Sequence, residues 1–298
     1  KESDRSAGFG RRLEGDNVRL ASWNVRNFFD EVDDANHDEV LSPGQFQLKV
    51  SELKAVLEEL DADFVALQEV ENVGCLIALN SSLHEPYPQL GLIEGNDRQR
   101  GIDVAFLSRL PVEKVVSHAQ EVLPPHPDVS KNYRFSRDCL EVRLATEPPT
   151  TVLINHFKSS RQDAKGSAAK RFVQSKGAVA IAERVDFPEG HALLIVGDLN
   201  DEPGSWSLRP LFENYSDAFE TIPKERRKTH RHGKRGSAID HILLDQDAKA
   251  ISAGAKIWSN LARDTSDHDP VSIELSLRPL TQVQDKVWVS SLAVRTSP

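Results

Sequence analysis

The sequence contains no methionine and no long hydrophobic run. Its longest purely apolar stretches, such as Ala192–Val196, contain about five residues, whereas a membrane-spanning helix needs roughly 18 or more. We therefore expect no membrane span. Aromatic residues make up only 6% of the 298 residues, but the 39% hydrophobic and 28% charged residues are ordinary for a globular protein. A chain of this length buries enough surface to fold without disulfides.

Cysteine is scarce, since Cys75 and Cys139 are the only two in the chain. Two cysteines are too few for a disulfide framework, and neither lies in a cluster with zinc-ligand spacing. The low number excludes the class of small disulfide-rich proteins. The pair can form one bridge or remain as two buried thiols, and we favour the thiols.

The sequence begins at Lys1 rather than at a methionine, so we expect it to be a trimmed or processed product. No hydrophobic segment of a signal peptide is visible, although one can have been removed already. We expect a secreted or periplasmic location, and a cytoplasmic location stays open. The sequence gives no information on oligomeric state.

Positive charge is concentrated in one short segment of an otherwise acidic chain. The net charge is −9, but residues 224–236 contain seven Lys or Arg and one Glu, so the rest of the chain carries −15. An acidic protein with one basic loop is not a general binder of polyanions, yet the loop can hold phosphates locally. The alternative is a solvated loop without a partner.

The hydrophobic pattern predicts a layered α/β fold in a single domain over residues 17–298, after a flexible polar N-terminus over residues 1–16. Strand patterns outnumber helix patterns, and the two kinds are interspersed. The predicted helices cover residues 46–60, 73–83 and 168–185. The predicted strands cover residues 18–25, 64–67, 104–107, 112–122, 139–145, 151–155, 192–196, 239–244, 249–258, 270–277 and 287–294.

Polar side chains occur at the ends of these predicted strands. In Gly197-Asp198-Leu199-Asn200, which follows an apolar strand, Asp198 and Asn200 share one face. Taken alone, this stretch is more simply explained as a turn. Residues of the same kinds begin or follow other strands, however, and ligands of layered α/β proteins bind at strand ends. The full set is Asn24, Glu69, His156, Asp198, Asn200, Asp240, Asp267 and His268.

The side chains in this set are typical ligands of a hard divalent cation. Oxygen donors dominate, which favours Mg²⁺ over zinc, and Mn²⁺ or Ca²⁺ is compatible with the same donors. Several buried carboxylates without a counter-charge would be costly. A hard cation among them can neutralise the charge of a phosphoryl group while water attacks a phosphate ester. The residue types therefore indicate metal-dependent phosphate ester chemistry.

Seven short motifs carry these residues along the chain. They are Ser22–Arg26, Leu67–Asn72, Gly101–Ala105, Asn155–Ser159, Gly197–Asp201, Ile239–Leu243 and Ser266–Val271. In this order they resemble the endonuclease/exonuclease/phosphatase superfamily, which includes pancreatic deoxyribonuclease, abasic-site endonucleases, sphingomyelinases and inositol phosphatases. The likeness spans residues 18–275 and looks most like bacterial, often secreted, members. It implies a four-layer α/β sandwich, with two packed, mainly antiparallel sheets flanked by helices and an active site at one end.

The resemblance implies a role for each metal-side residue. Glu69 would be the main metal ligand. Asn24 would support the metal or the scissile phosphate, and Asp267 would add a metal contact, directly or through water. Asp198 would orient or deprotonate the attacking water, and Asn200 would contact the phosphate.

The resemblance also implies roles for two imidazoles and several cations. His268 would act as acid or base, or bind the phosphate, while held by Asp240. His156 would lie near the leaving group or the phosphate, and Asp103 would orient it. Residues expected to contact substrate phosphates are Arg26 and Lys158 from the motifs, and Arg231, Lys234 and Arg235 from the basic loop.

The function implied is a Mg²⁺-dependent phosphodiesterase that acts on DNA or RNA with low sequence specificity. Its partner would be a nucleic acid contacted through the phosphate backbone. A lipid or inositol phosphate hydrolase on the same core is the alternative, although no aromatic-rich apolar hairpin is evident apart from Lys256–Leu261. A catalytically inactive binding module is disfavoured because every expected core residue is present.

Overall fold

The chain folds into two large β-sheets that pack face to face. The computed structural model describes residues 17–33, 39–159, 164–184, 188, 190–231 and 236–289. In chain order the strands are β1 (Asn17–Phe28), β2 (Phe64–Val70), β3 (Gln89–Leu92), β4 (Asp103–Ser108), β5 (Val112–Val116), β6 (Cys139–Leu144), β7 (Thr146–Glu147), β8 (Thr150–His156), β9 (Ala192–Asp198), β10 (Ser216–Asp217), β11 (Asp240–Leu244), β12 (Ser252–Ile257), β13 (Val271–Ser276), β14 (Arg278–Pro279) and β15 (Lys286–Trp288).

Most of the helices cover the outer faces of the two sheets, but the fifth packs Ala248 into the cluster between them. They are α1 (Pro43–Leu60), α2 (Val73–Ser82), α3 (Ala164–Arg184), α4 (Arg209–Phe212) and α5 (Gln246–Ala250), with a 3₁₀ turn at Lys224–Arg226. None of the helices in the described residues is both long enough and apolar enough to cross a bilayer.

The strand order places one parallel pair in the interior of each sheet, and β15 forms a further parallel pair with β3 at one edge of the first sheet. The first sheet has the order β12-β13-β1-β2-β4-β3-β15, and the second has the order β10-β11-β9-β8-β6-β5. β1 runs parallel to β2, and β8 runs parallel to β9, while the strands that flank each pair are antiparallel to it. The carboxyl ends of each parallel pair therefore lie beside the amino ends of the flanking strands.

Three hydrophobic clusters divide the molecule into four layers. One cluster lies between the sheets and joins Val18 and Phe64 of the first sheet to Ile154 and Val196 of the second. A second cluster packs α1 and α2 on the outer face of the first sheet, and a third packs α3 on the outer face of the second. This arrangement is the predicted four-layer α/β sandwich.

Gly197 allows β9 to lie beside β8 at the end of the parallel pair. Its φ angle of +131° lies in the region that favours glycine. A Cβ atom at this position would lie 1.9 Å from the carbonyl oxygen of Asn155, which no other residue can tolerate. The glycine that ends the predicted strand is therefore required by close backbone contact immediately before Asp198.

Element boundaries differ from the prediction where local capping decides them. α1 starts at Pro43 rather than at residue 46 because Ser42 and Gln45 form a capping box. The strand predicted over residues 249–258 begins only at Ser252, since Asp245 caps the short helix α5 before it. β5 ends at Val116, well before the predicted residue 122.

Some predictions concern residues outside the described part of the chain. The flexible N-terminus, the basic residues Lys234 and Arg235, and the end of the last predicted strand belong to this group. The cysteine prediction is tested, and Cys75 and Cys139 are both buried and free.

Candidate active site

The strand ends open onto one cleft of about 570 Å³ between the two sheets. Both sheets contribute to its walls, because Glu69 ends β2 of the first sheet while His156 and Asp198 end β8 and β9 of the second. Asn200, Asp267 and His268 also line the cleft. The structure therefore brings together the polar residues that the sequence places at separate strand ends.

Asn24 connects a carboxylate of one sheet to a carboxylate of the other. Its Nδ2 donates to Glu69 Oε1 at 3.3 Å and to Asp198 Oδ2 at 3.0 Å. Its Oδ1 accepts from the backbone N–H of Arg26 at 2.9 Å, which fixes the orientation of the carboxamide. Asn24 thus fits the role of a support for Glu69 and Asp198 better than that of a metal ligand.

Four non-glycine residues at the cleft have left-handed backbone conformations. They are Arg26, Asn27, Glu69 and Asn200, with φ angles of 52°, 49°, 66° and 55°. Such conformations cost roughly 1 kcal/mol or more each, and they cluster where function requires a particular side-chain direction. One consequence is that the backbone N–H of Asn27 donates to Glu69 Oε2 at 3.0 Å.

Asp240 holds the imidazole of His268 from behind. Nδ1 of His268 lies 2.8 and 3.0 Å from the two carboxylate oxygens of Asp240, so Nε2 faces the cleft, 3.8 Å from Asp198 Oδ2. Burial alone would lower the pKa of His268, but the carboxylates of Asp240 and Asp198 raise it to about 10. His268 is therefore an imidazolium at neutral pH.

Burial shifts the pKa values of His156 and Asp198 in opposite directions, and in both residues it favours the neutral form. Burial, together with the cations Arg137 and Arg100, holds the pKa of His156 well below its usual value, so this imidazole is neutral. Its Nε2 lies 3.6 Å from Asp198 Oδ2 and 3.8 Å from Glu69 Oε1. Burial raises the pKa of Asp198 to about 6, which leaves a carboxylate at neutral pH.

Asp267 lies at the outer side of the cleft among cationic partners. Its carboxylate is 3.6 Å from His230 Nε2 and 3.8 Å from Arg26 Nε. Burial would raise its pKa, but the hydrogen bond from His230 and the charge of His268 hold that pKa below its usual range. The ring of His230 also packs on His268 with centroids 4.5 Å apart.

Arg100 is a cleft residue that the sequence analysis does not single out. Its guanidinium donates to Asn27 Oδ1 at 2.6 Å and lies 3.3 Å from Glu69 Oε2. Burial would raise the pKa of Glu69, and Arg100 is the main cause that holds it below its usual value. The position of Arg100 directly before Gly101-Ile102-Asp103 is the only sequence signal that could have indicated it.

Asp103 does not contact His156 as the sequence analysis expects. Its carboxylate accepts from the backbone N–H of Gly95 at 2.7 Å, and Nδ1 of His156 has no hydrogen-bond partner among the described residues. Burial raises the pKa of Asp103 to about 7. The amino end of β4 holds this side chain under the loop that precedes the strand, away from the imidazole.

The predicted phosphate contacts fall into different surroundings. The Arg26 side chain lines the cleft, whereas Lys158 and Arg231 are not among the cleft residues that the described ranges contain. The Arg231 guanidinium contacts the Asp269 carboxylate and the carbonyl oxygens of Ala262 and Ser266, so it supports the loop that carries Asp267.

Lys49 is a second residue that the sequence analysis misses. From α1 its ammonium group donates to the carbonyl oxygens of Val25 at 2.8 Å and Thr265 at 2.7 Å. These contacts connect the end of β1 to the segment that carries Asp267 and His268. Burial lowers the pKa of Lys49 to about 8.

The donor set fits a divalent metal ion. Oxygen atoms of Glu69, Asp267 and Asp198 face one cleft, and Asp198, Asp240 and His268 have possible ligand atoms within 4.8 Å of one another. Neither cysteine lines this cleft in the described part of the chain. The cleft also contains the imidazoles of His156, His230 and His268, but three carboxylates without a thiolate among the described residues suit Mg²⁺ or Mn²⁺.

The fold is similar to several solved structures from bacteria. A protein of the endonuclease/exonuclease/phosphatase family from Leptotrichia buccalis C-1013-b has a TM-score of 0.62 at 15% identity, over 87% of this chain and 99% of that chain. An endonuclease/exonuclease/phosphatase from Beutenbergia cavernae DSM 12333 has a TM-score of 0.61 at 16% identity, over 88% and 72%. The beta toxin of Staphylococcus aureus has a TM-score of 0.58 at 19% identity, over 86% and 99%. Likeness at these identities shows the fold alone.

Comparison by sequence gives the family. No curated protein matches the chain significantly. The profile of the Endonuclease/Exonuclease/phosphatase family, in contrast, matches residues 21–268. This interval includes every residue described above as part of the cleft, from Asn24 in β1 to His268 before β13. The chain therefore belongs to the endonuclease/exonuclease/phosphatase family.

Proposed function

We propose that the chain is a divalent-metal-dependent phosphodiesterase that hydrolyses DNA or RNA with low sequence specificity. Its family consists of metal-dependent hydrolases of phosphoric esters. The observation that carries the proposal is the convergence of Glu69, Asp198 and His268 on one cleft, linked through Asn24 at 3.0–3.3 Å and through the 3.8 Å approach of His268 to Asp198. Such a set offers carboxylates that can bind a cation and a water molecule, and an imidazolium that can bind an anion.

Glu69 and Asp267 are the residues that would hold the metal, and Mg²⁺ is the ion we propose. When bound, such an ion neutralises developing charge on the phosphoryl group and lowers the pKa of bound water. Arg100 and the backbone N–H of Asn27 both contact Glu69 Oε2, so Oε1 is directed toward Asn24 and the cleft. The same oxygen donors are compatible with Mn²⁺ or Ca²⁺.

Asp198 would orient or deprotonate the attacking water. Its Oδ1 accepts from the backbone N–H of Asn200 at 2.9 Å, and its Oδ2 faces Asn24, His156 and His268. A pKa of about 6 is close to the neutral range in which a general base is most effective. The Asn200 side chain donates to the carbonyl oxygen of Phe157 at 3.0 Å, which holds this turn in place.

His268 and His156 supply hydrogen bonds of two kinds to the phosphate. The protonated His268, oriented by Asp240, can donate from Nε2 to a non-bridging oxygen or to the leaving group. The neutral His156 can donate or accept at Nε2 according to its tautomer. The pair thus places a fixed donor beside an adjustable one at the reacting phosphorus.

Charge at the cleft supports a nucleic acid as the substrate. Arg26 and Arg100 line the cleft, and two residues of the basic segment 224–236 reach it, because His230 pairs with His268 and Gly236 lines the cleft. Phosphates of a strand that extends beyond the cleft would find cations there, without contacts that read the bases.

The segment Lys256–Leu261 does not support the lipid hydrolase alternative. Trp258 packs against the cluster under α1, and its Nε1 donates to Ser272 Oγ at 2.9 Å. The Lys256 ammonium lies 3.1 Å from the Trp258 ring centroid. The aromatic side chain is therefore turned toward the protein and is not presented to a bilayer.

Nicking of supercoiled plasmid DNA tests the proposal. We expect nicking that requires Mg²⁺, is abolished by EDTA, and falls by at least about 100-fold in Asp198→Ala and in His268→Ala, the loss typical for removal of a group that stabilises the transition state. Folding of each variant is checked by circular dichroism. Absence of nicking by the folded wild-type protein in Mg²⁺, Mn²⁺ and Ca²⁺, with hydrolysis of sphingomyelin or a phosphomonoester instead, would refute the nuclease assignment.

A further inference from the structure

A cluster of three aromatic rings lies beside the cleft, and we call it the aromatic shelf. It consists of His126, Phe172 and Trp206. The ring centroids of Phe172 and Trp206 are 5.1 Å apart, and those of His126 lie 5.7 and 6.2 Å from them. Trp206 is 48% exposed, which makes it the only aromatic residue among the large exposed hydrophobic residues in the described ranges.

Trp206 is exposed although the backbone that follows it is held firmly. Ser207 and Leu208, which follow Trp206, are fully buried. Ser207 Oγ donates to the Asp201 carboxylate at 2.6 Å, and the carbonyl oxygen of Ser207 accepts from Ser175 Oγ at 2.8 Å. An aromatic ring that is fixed in place and open to solvent loses little conformational entropy when a partner stacks on it.

The contacts that hold the shelf also connect it to the wall of the cleft. Asp201 lines the cleft, and its carboxylate accepts from Arg171 at 2.9 and 3.1 Å. Arg171 precedes Phe172 in α3 and also donates to the carbonyl oxygen of Lys158 at 3.0 Å. Trp206 follows Asp201 by five positions, so the Cα atoms of the two residues lie at most about 18 Å apart.

The surroundings of the shelf suit a phosphate backbone. Lys176 lies one helical turn after Phe172 in α3 and is exposed. Arg209 follows Trp206 by three residues and is also exposed, with Glu213 at 3.7 Å as its ion-pair partner. Both cations lie close to the shelf along the chain and can meet an anionic partner, although the Asp128 carboxylate lies 4.0 Å from His126 Nδ1.

We propose that the aromatic shelf stacks an unpaired nucleobase of a strand whose scissile phosphate lies in the cleft. This inference rests on the proposed nuclease function and adds a second contact, outside the reacting centre. Stacking on an indole accepts every base, because each base presents a π-face. The shelf would thus favour single-stranded or locally opened nucleic acid without selecting a sequence.

Binding of a fluorescent oligonucleotide tests the shelf independently of turnover. The probe is an oligothymidylate with 2-aminopurine at one position, and the protein carries Asp198→Ala to prevent cleavage. Trp206→Ala is added to this background, with Trp206→Phe as the conservative variant. Ile77→Ala is the matched control, because Ile77 is an exposed apolar residue (42%) on α2, in the opposite outer layer. The same titrations use an oligomer of tetrahydrofuran abasic units with the identical backbone.

We expect Trp206→Ala to weaken binding of the base-containing oligomer by about 5- to 100-fold, the range for loss of one stacked base. Trp206→Phe and Ile77→Ala should bind nearly as the parent does. Binding of the abasic oligomer should not respond to any change at Trp206.

Three results would overturn the inference. If Trp206→Ala binds each oligomer as tightly as the parent does, the shelf does not stack a base. The plasmid-nicking result, and with it the proposed nuclease function, would be unaffected. An equal loss on both oligomers would mean that Trp206 acts through the fold or the backbone. Weaker binding of Trp206→Ala to phosphatidylcholine–sphingomyelin vesicles, with unchanged oligonucleotide binding, would make the shelf a membrane contact.

Discussion

Replacement of Lys49 by methionine should separate support of the active site from support of the fold. A pKa near 8 in place of 10.5 corresponds to a net preference of about 3 kcal/mol for the neutral amine in the folded chain, with burial as its largest cause. Its hydrogen bonds to the carbonyl oxygens of Val25 and Thr265 each return roughly 1.5–3 kcal/mol, as bonds from charged groups do. Methionine keeps the apolar stem and removes both opposing effects. The two bonds together return about 3–6 kcal/mol against a cost of about 3, so the net loss of unfolding free energy should be at most about 3 kcal/mol.

The same substitution should have a larger effect on metal binding. Lys49 connects the residue after Asn24 to the segment that carries Asp267, and loss of such a supporting contact commonly lowers metal affinity by about 10- to 100-fold. Isothermal titration calorimetry with Mn²⁺ measures this affinity, and urea denaturation measures the stability. Lys54→Met is the control, because Lys54 lies on the same helix and donates to the carbonyl oxygen of Ser82 at 2.7 Å, with no contact to the site.

The pH dependence of stability provides an internal check on Lys49. Since the pKa of Lys49 is lower in the folded chain than in the unfolded chain, the folded state binds fewer protons between pH 8 and 10.5. The stability of the wild type should therefore rise relative to Lys49→Met across this interval. Unchanged Mn²⁺ affinity in Lys49→Met, or an equal loss of affinity in Lys54→Met, would refute the reasoning.

Three further substitutions give distinct expected outcomes. Gly197→Ala should lower the unfolding free energy by at least about 3 kcal/mol in urea denaturation, because its Cβ would lie 1.9 Å from the Asn155 carbonyl oxygen. Gly44→Ala is the control and should cause no such loss, because a Cβ there would have no atom within 4 Å. Equal losses in the two variants would contradict this prediction. Asp103→Asn should stabilise the protein at pH 8 by up to about 4 kcal/mol and by much less at pH 4. The reason is that the Asp103 carboxyl, with a folded pKa near 7, lowers the unfolding free energy of the wild type as the pH rises from about 4 to 7. A stability difference that does not change with pH would contradict this prediction. Mg²⁺ at 100 times its dissociation constant should raise the unfolding free energy of the wild type by about 2.7 kcal/mol, as measured by thermal denaturation. The same Mg²⁺ concentration should leave the unfolding free energy of Glu69→Gln unchanged. An equal increase in both proteins would exclude Glu69 as the main ligand.

The sequence predicts the cleft because its residues occupy strand ends. Alternation along a strand fixes which side chains share a face, and the ends of adjacent strands must meet at one edge of a sheet. Asn24, Glu69, Asp198 and His268 come together for this reason. The layered α/β fold follows from the same apolar strands, whose residues form the core between the sheets.

The supporting residues could not be predicted because their partners are distant along the chain. Arg100 and Glu69 are 31 positions apart, and Lys49 and Thr265 are 216 positions apart. Neither contact follows from a local pattern, since each depends on how a loop or helix crosses the finished sheet. The expected contact of Asp103 with His156 does not form for a related reason. The two residues belong to motifs in different sheets, and the sequence does not show that the loop before β4 supplies the partner of Asp103, the backbone N–H of Gly95.

Asn24 belongs to β1 of the first sheet and Asp198 to β9 of the second, so the hydrogen bond from Asn24 to Asp198 spans the junction between the two halves of the sandwich. A small shear of one sheet over the other would lengthen this bond before it disturbed either half internally. The geometry of the active site is thus sensitive to the alignment of the two sheets. An ion or phosphate that contacts both Glu69 and Asp198 would hold the two sheets together at this point. Substitutions deep in the interior, such as at Phe64 or Val196, should therefore alter turnover without touching the cleft.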